Sequence, residues 1–305
     1  MTINRVSKLA GSVTNNAVKK IGGFLKMNKN FAGGTTYTDG TTEWRVFTTT
    51  GPLSTTNFAP TTLVYNPRSA SIGSSLPGAT CDILVVGGGG GSGQGTYSGG
   101  GGGGGYVYHE NLSVPPASFT VTIGSGGAGS SSGGPSIFGS PSPSASITAV
   151  GGGYGVQDTE NRPGGPGGSG GGGSFRPNNF NPNINGGSGT QPSQGGISGS
   201  SGRGSPGRPA PNPGGDHGGN GGGAGGQGGN SFGVPDSFLP TGGTFPATFL
   251  GAPSGNGTLW RSFAGGGGGQ TIGSSSSISQ TYPGRGNGGG VFSTGAPGVV
   301  IIKVK

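Results

Sequence analysis

The chain has 305 residues, of which 81 are glycine and 24 are proline, and hydrophobic residues make up only 27% of it. This composition excludes a large conventional hydrophobic core, while the net charge of +8 is too modest for the highly charged coils typical of disordered proteins. One cysteine is present, which excludes an intrachain disulfide and indicates folding in a reducing compartment.

Residues 1–30 form a basic segment that contains lysine and arginine but no acidic residue. Apolar side chains recur in it at steps of three and four residues, which is typical of an amphipathic helix. We predict an N-terminal attachment helix that docks the protein onto a larger assembly. The residues expected to make the attachment contacts are Val6, Leu9, Val13, Ile21 and Phe24. The alternatives are a membrane-surface or nucleic-acid contact through the basic face, and a frayed tail or core-covering helix.

No apolar run in the sequence reaches the length of a signal peptide or a membrane span. We therefore expect synthesis in the cytoplasm, without autonomous export and without membrane insertion.

Short runs with β patterning follow from residue 31 onwards. Residues 43–48 alternate polar and apolar side chains, which indicates a half-buried strand, and residues 299–305 form a strongly apolar one. The other predicted strands are 63–65, 81–86, 106–109, 119–123 and 146–150. The final strand needs partners, and these must come from the first half of the chain. The sequence therefore predicts a mainly β fold, a small antiparallel sandwich with its core in residues 31–150 and its closing strand in residues 291–305.

Four glycine-rich insertions interrupt the strands, at residues 87–105, 124–135, 151–230 and 264–290. From Pro163 onwards glycine recurs at every third residue, and Pro163 and Pro166 occupy a second frame. Three residues per turn is the period of the polyproline II helix, which makes no internal hydrogen bonds. Glycine at every third position lets neighbouring helices approach and bond laterally through their backbones. We predict an ordered polyglycine II bundle with its connecting loops in residues 151–290; a flexible linker is the alternative.

No catalytic motif is complete in the sequence. Residues 82–86 run into glycines like a strand entering a dinucleotide-binding turn, but the glycines of 95–105 exclude the helix that this motif requires. Asp216 and His217 are better explained as an exposed loop pair than as a metal or catalytic site. Arg-Gly-Gly repeats, which RNA-binding glycine-rich proteins combine with aromatic residues, do not occur. We therefore expect no enzyme activity, no cofactor, no metal and no nucleic-acid partner.

Aromatic residues between the glycine runs are the candidates for surface recognition, because rigidly presented aromatic side chains anchor sugars and protein surfaces. The alternative is that they pack over the bundle or fill its junctions. The candidate receptor-contact residues are Phe175, Phe180, Phe232, Phe238, Phe245, Trp260 and Tyr282.

A recurring arrangement joins strands to glycine runs. The strand at 82–86 enters five glycines, the glycines of 99–105 precede Tyr-Val-Tyr, and the strand at 119–123 ends in Gly-Ser-Gly-Gly-Ala-Gly. With the closing Gly-Val-Val-Ile-Ile at 298–302, this pattern resembles the glycine-rich domains of bacteriophage tail-fibre and related virion proteins. It is also similar to the glycine-rich region of anaplastic lymphoma kinase and to the fibre-tip adhesins of T-even-like phages, whose polyglycine II bundles bind host receptors through connecting loops.

This resemblance implies a jelly-roll-like sandwich carrying inserted polyglycine II helices. It implies a virion protein, a short tail fibre or fibre-tip adhesin, that binds a host-surface glycan or outer-membrane protein and attaches to other virion proteins through its N-terminal segment. A homo-oligomer is expected, with a trimer favoured. The alternative functions are a capsid decoration or tail-assembly protein without receptor binding, and an RNA-binding glycine-rich protein.

Overall fold

The computed structural model describes part of the chain, in several stretches. The described residues are 31–40, 42–54, 79–114, 117–139, 146–157, 162–174, 185–191, 200–203, 221, 232–233, 237–239, 262–263, 286, 288–289 and 293–305. The predicted N-terminal attachment helix and the predicted strand at 63–65 lie outside these residues.

Twelve strands are present in the described residues, and they belong to three antiparallel sheets. Their bounds are β1 Thr35–Thr38, β2 Glu43–Phe47, β3 Gly51–Ser54, β4 Ala79–Val86, β5 Tyr106–Val114, β6 Ser118–Thr122, β7 Ser136–Gly139, β8 Ile147–Ala149, β9 Ser200–Arg203, β10 Phe232–Gly233, β11 Ser262–Phe263 and β12 Val299–Val304. The mainly β, antiparallel fold predicted from the sequence is confirmed.

The larger sheet has six strands in the order β1-β2-β12-β4-β5-β9, and the smaller one has four in the order β3-β6-β7-β8. The closing strand β12 lies in the middle of the larger sheet, where Ile301 is opposite Val46 of β2 on one side and Leu84 of β4 on the other. The prediction that this strand pairs with partners from the first half of the chain is therefore confirmed. Strands β10 and β11 form a separate two-stranded ladder.

The two larger sheets pack face to face around the main hydrophobic core. Alternate residues of β4, namely Cys81, Ile83 and Val85, point inward, where they meet Phe119 and Phe138 from the smaller sheet. The rings of these two phenylalanines stack with their centroids 5.1 Å apart. Burial of a large apolar side chain contributes about 1.5–3 kcal/mol, so this interface is the main source of stability in the sandwich.

The outer face of the larger sheet is also apolar, which explains why β4 and β12 read as continuous hydrophobic runs rather than as alternating ones. Leu84, Val86 and Ile301 lie on this face with Trp44. Phe238 and Leu239, from the glycine-rich part of the chain, cover it.

A β-bulge interrupts the pairing of β4 with β5 between Cys81 and Ile83. Asn111 adopts a positive φ of 56° there, and its backbone N–H donates to Asp82 Oδ1 at 2.8 Å. Lys305 Nζ pairs with the same carboxylate oxygen at 2.7 Å. The buried Asp82 carboxylate is therefore neutralised by a cation and also accepts a backbone hydrogen bond, as a buried charge requires.

The described residues include no helix that is long and apolar enough to cross a membrane.

Candidate functional site: a bundle of glycine helices

Both sheets continue directly into glycine segments. Strand β4 runs into segment 87–93, and segment 99–105 returns into β5. In the smaller sheet β6 runs into 123–128 and 131–134 returns into β7. Segment 150–156 follows β8, and segment 293–298 leads into β12. The glycine segments therefore continue the paired strands and are not separate loops between them.

The backbone N–H groups of the central segment (87–93) point to three different neighbours in turn. Every third N–H group donates to the same neighbouring segment. Those of residues 87, 90 and 93 donate to the carbonyls of 105, 102 and 99. Those of 88 and 91 donate to 134 and 131, and those of 89 and 92 donate to 296 and 293. These bonds measure 2.8 to 3.2 Å. A three-residue repeat of donor direction is what a helix with three residues per turn produces.

The carbonyl groups of the central segment accept from three further neighbours. Gly88 and Gly91 accept from segment 152–155, Gly89 and Ser92 accept from segment 127–130, and Gly90 accepts from Gly289. The central segment therefore has six hydrogen-bonded neighbours, some parallel and some antiparallel to it. A laterally bonded polyglycine II bundle, the type of structure that the period of three predicts, is therefore present in the described residues. Its central segment lies in the glycine-rich insertion at 87–105, while the prediction placed the bundle in residues 151–290.

Glycine is needed in these segments because the neighbouring backbones approach too closely for a side chain. A Cβ placed on Gly90 would overlap the carbonyl oxygen of Gly153, and one on Gly102 would overlap that of Ser169. Two sheets in a sandwich lie about 10 Å apart because side chains fill the space between them. Where the side chains end, the two layers close onto each other and bond directly: Gly105, from the larger sheet's layer, donates to Val150 of the smaller sheet's layer at 2.8 Å.

Segment 162–168 shows how proline fits into the bundle. Gly164 and Gly167 donate to one neighbour (185 and 188), and Gly165 and Gly168 donate to another (154 and 151). Pro163 and Pro166 occupy the third position of the repeat, which faces solvent. Because proline has no N–H, it leaves no donor unsatisfied at the solvent-facing position. The Arg162 guanidinium lies over the Tyr154 ring, 5.5 Å from its centroid, at this surface.

The bundle ends, away from the sandwich, in two short connecting loops that lie side by side. Six residue steps at about 3.1 Å place Gly93 roughly 19 Å beyond Gly87. Loop 94–98 closes there through Ser98, whose hydroxyl donates to the Gly95 carbonyl at 2.8 Å. Loop 129–132 is attached beside it, since Ser130 N–H donates to the Ser92 carbonyl at 2.8 Å.

The side chains of this distal end are uncharged and polar. Gln94, Thr96 and Ser131 are exposed, and Tyr97 is half-buried. Ser130 holds a positive φ of 55°, a conformation that non-glycine residues adopt at a cost, so the shape of this end is fixed by the bundle beneath it. We call residues 94–98 and 129–132 the distal loops.

Two titratable side chains in the sandwich have shifted pKa values. Burial, and the nearby Asp82 carboxylate, raise the pKa of the Cys81 thiol to about 12. The pKa of the Tyr108 hydroxyl is raised by burial first, then by the charges of Asp82 and Glu110 and the hydrogen bond to Glu110. Neither group is therefore ionised near neutral pH. The described stretches contain no group of three or more potential metal-ligating side chains.

The structure describes two of the predicted receptor-contact residues. Phe238 is completely buried against the larger sheet, so its side chain fills a junction and is not presented at the surface. Phe232 lies in β10, paired with Phe263 of β11. The other predicted contact residues, Phe175, Phe180, Phe245, Trp260 and Tyr282, lie outside the described residues, as do the attachment residues Val6, Leu9, Val13, Ile21 and Phe24.

Sequence reasoning did not single out the distal loops. Their signal was nevertheless present, because Gln94 and the triplet 96–98 interrupt two glycine runs that lie between consecutive strands. The predicted boundaries between residues 31–150, 151–290 and 291–305 stay a prediction. Hydrogen bonds join glycine segments from all three of these ranges.

A comparison with curated protein sequences gives no match. The sequence pattern of a glycine-rich domain family, in contrast, matches residues 69–305, which include the strands from β4 to β12 and every glycine segment of the bundle. The chain therefore belongs to this family of glycine-rich domains.

Proposed function

We propose that this protein is a non-enzymatic structural component of a virion, a short tail fibre or fibre-tip adhesin that contacts the host surface. The observation that carries the proposal is the pair of distal loops held at one end of a bundle whose backbone groups bond to six neighbours around the central segment. A site held rigidly before binding loses little conformational entropy when a ligand binds. The resemblance to phage fibre proteins supplies the virion context.

The chemistry of the distal loops favours an uncharged, hydroxyl-rich ligand. Gln94 and Thr96 offer amide and hydroxyl groups, and Tyr97 offers a flat ring with a polar tip. The described loop residues include no lysine, arginine, aspartate or glutamate. A neutral surface glycan matches this set of groups better than a phosphate or a carboxylate does.

The other parts of the proposal concern the partners. Residues 1–30 attach the protein to other virion proteins, and the functional form is a homo-oligomer, with a trimer favoured. The protein acts on the assembled virion, with neither a nucleic-acid partner nor insertion into a membrane.

Adsorption of the virus to its host tests the receptor-binding part. We expect purified protein, added to host cells first, to reduce adsorption, and the double variant Gln94→Ala/Tyr97→Ala to inhibit about tenfold less effectively. Pro166→Ala, on the exposed side of the bundle, is the matched control and should inhibit like the wild type. If the unaltered protein leaves adsorption unchanged, the protein is no adhesin.

Labelling of virus particles tests the location. We expect gold-labelled antibodies against the protein to mark the tip of a fibre in electron micrographs. Labels on the head would instead support a capsid decoration protein, and the absence of any label would contradict a virion protein altogether.

A further inference from the structure

Three residues of the glycine-rich part of the chain occupy a groove on the outer face of the larger sheet. We call Ser237, Phe238 and Leu239 the plug. The exposed fraction is 0% for Phe238 and 2% for Leu239, so these two side chains are as buried as the sandwich core, while Ser237 is exposed. The groove residues that form one apolar cluster with the plug are Trp44, Val46, Leu84, Val86, Tyr106, Tyr108, Val299 and Ile301.

The groove contacts both the side chains and the backbone of the plug. The Trp44 indole N–H donates to the Phe238 carbonyl at 2.7 Å, in a buried position. Lys303 Nζ donates to the Ser237 carbonyl at 2.5 Å. The ring of Tyr108 meets that of Phe238 edge to face, with centroids 5.2 Å apart and an interplanar angle of 81°.

These contacts form a peptide-recognition pattern. Two donors fix the main chain of the plug, and an aromatic pocket selects for its phenylalanine, which is how binding grooves read short peptides. None of the contacts depends on how the plug is joined to the sheet. A plug from another molecule would make every one of them.

The connection of the plug to the sandwich is long. Gly221 is buried against Gly101 in the bundle, and residues 222–236 connect it to the plug; a chain of that length can reach roughly 50 Å. In the sequence, β10 precedes the plug and β11 follows it. These two strands pair with each other and belong to neither of the larger sheets.

We propose that the outer face of the larger sheet is a peptide-docking groove and that it takes the plug of a second copy of this chain. Copies that donate their plugs to one another, around a closed ring in the favoured trimer, retain all the contacts described above, so exchange costs only the entropy of association. The plug thus joins copies into the homo-oligomer, independently of any binding to a host.

A peptide titration tests the groove. The probe is a fluorescein-labelled peptide with the sequence of residues 234–241, Val-Pro-Asp-Ser-Phe-Leu-Pro-Thr. We expect it to bind saturably, by fluorescence anisotropy, to the full-length variant Phe238→Ala/Leu239→Ala, whose own plug is weakened. A peptide with both apolar residues changed to alanine is the control and should not bind. Adding Trp44→Phe removes one donor and should weaken binding roughly two- to tenfold.

The folded state of each variant is checked by circular dichroism, and Leu239→Ala alone is the second host if the double variant does not fold. Absence of saturable binding to a folded host would show that the face is ordinary core and would overturn the proposal.

Cross-linking between copies tests the exchange. Ser237→Cys and Lys303→Cys are made in separate, differently tagged full-length chains, which are then mixed and treated with a short bis-maleimide reagent. We expect a heterodimeric product whose yield rises with protein concentration. Cys81 is buried and is not expected to react. If no heterodimer forms from low micromolar to several hundred micromolar protein, the plug docks only within its own chain and exchange is excluded.

Discussion

At the scale of single residues, the glycines of this protein differ in what they do. Gly90 lies in the middle of the central segment, where a Cβ would overlap the Gly153 carbonyl, whereas Gly51 in β3 has open space around its Cα. The abundance of glycine therefore does not measure its importance; the distance to the neighbouring backbone does.

We expect Gly90→Ala to lower the free energy of unfolding by roughly 3 kcal/mol or more, because the backbone of Gly152 and Gly153, which is itself hydrogen-bonded in the bundle, must move away to admit the methyl group. Gly51→Ala is the matched control. We expect it to be neutral or to raise stability by about 0.4–1 kcal/mol, since it restricts the unfolded chain. Urea denaturation of both variants measures the difference, and equal effects at the two positions would contradict the close packing of the bundle.

The Cys81 thiol gives a pH dependence. Its pKa is raised to about 12 in the folded protein, so between about pH 9 and pH 12 the unfolded state binds fewer protons than the folded state. The free energy of unfolding should therefore fall as the pH rises through this window, by up to about 1.4 kcal/mol per pH unit from this group. Denaturation curves at several pH values should show a shallower fall in Cys81→Ala. An identical slope in the variant would assign the alkaline loss to other groups, such as Tyr108.

At the scale of elements, the direction of each hydrogen bond depends on the phase of the three-residue repeat. Bonds of the central segment return to the same neighbour at 87, 90 and 93. A change of phase within a segment therefore turns every later N–H towards the wrong neighbour.

Insertion of one glycine after Gly90 should consequently abolish the cooperative thermal transition or lower its midpoint strongly. The same glycine inserted after Gly95, in a distal loop, should change the midpoint by only a few degrees, because loop length costs little. Thermal unfolding followed by circular dichroism distinguishes the two. Equal tolerance at both positions would show that the bonds have no fixed phase.

Much of this organisation could be predicted from the sequence. Strands β2, β4, β6, β8 and β12 were predicted within two residues of their observed ends, because their apolar residues are clustered or alternate, whereas β5 was predicted only for residues 106–109. The period of three from Pro163 onwards predicted glycine helices, but the central segment 87–93 was predicted only as part of a glycine-rich insertion. The missed strands β1, β3, β7, β9, β10 and β11 have only two to four residues each, which is too short for an alternating or apolar run to stand out from the sequence around it. The burial of Phe238 was left open, because only the sheet it covers reveals it.

At the scale of the whole molecule, a sandwich stabilised by packed side chains continues directly into a bundle stabilised by backbone hydrogen bonds. The strands of both sheets supply the ends of the glycine segments, so the order of the sheets determines which segments become neighbours: β12, β4 and β5 are adjacent in the larger sheet, and their extensions bond in the same order. Ordering glycine is costly, at about 1–2 kcal/mol per residue for the backbone alone, and lateral hydrogen bonds together with close packing must offset it.

Amide hydrogen exchange tests this account most directly, because it reports on the backbone hydrogen bonds of the glycines themselves. We expect the amides of Gly90, Gly102 and Gly152 to be protected to a similar degree as those of Leu84 and Ile301 in the larger sheet. Exchange of these glycine amides at the rate of an unstructured peptide, in a protein whose strands remain protected, would contradict the account and show that the glycine segments are flexible linkers.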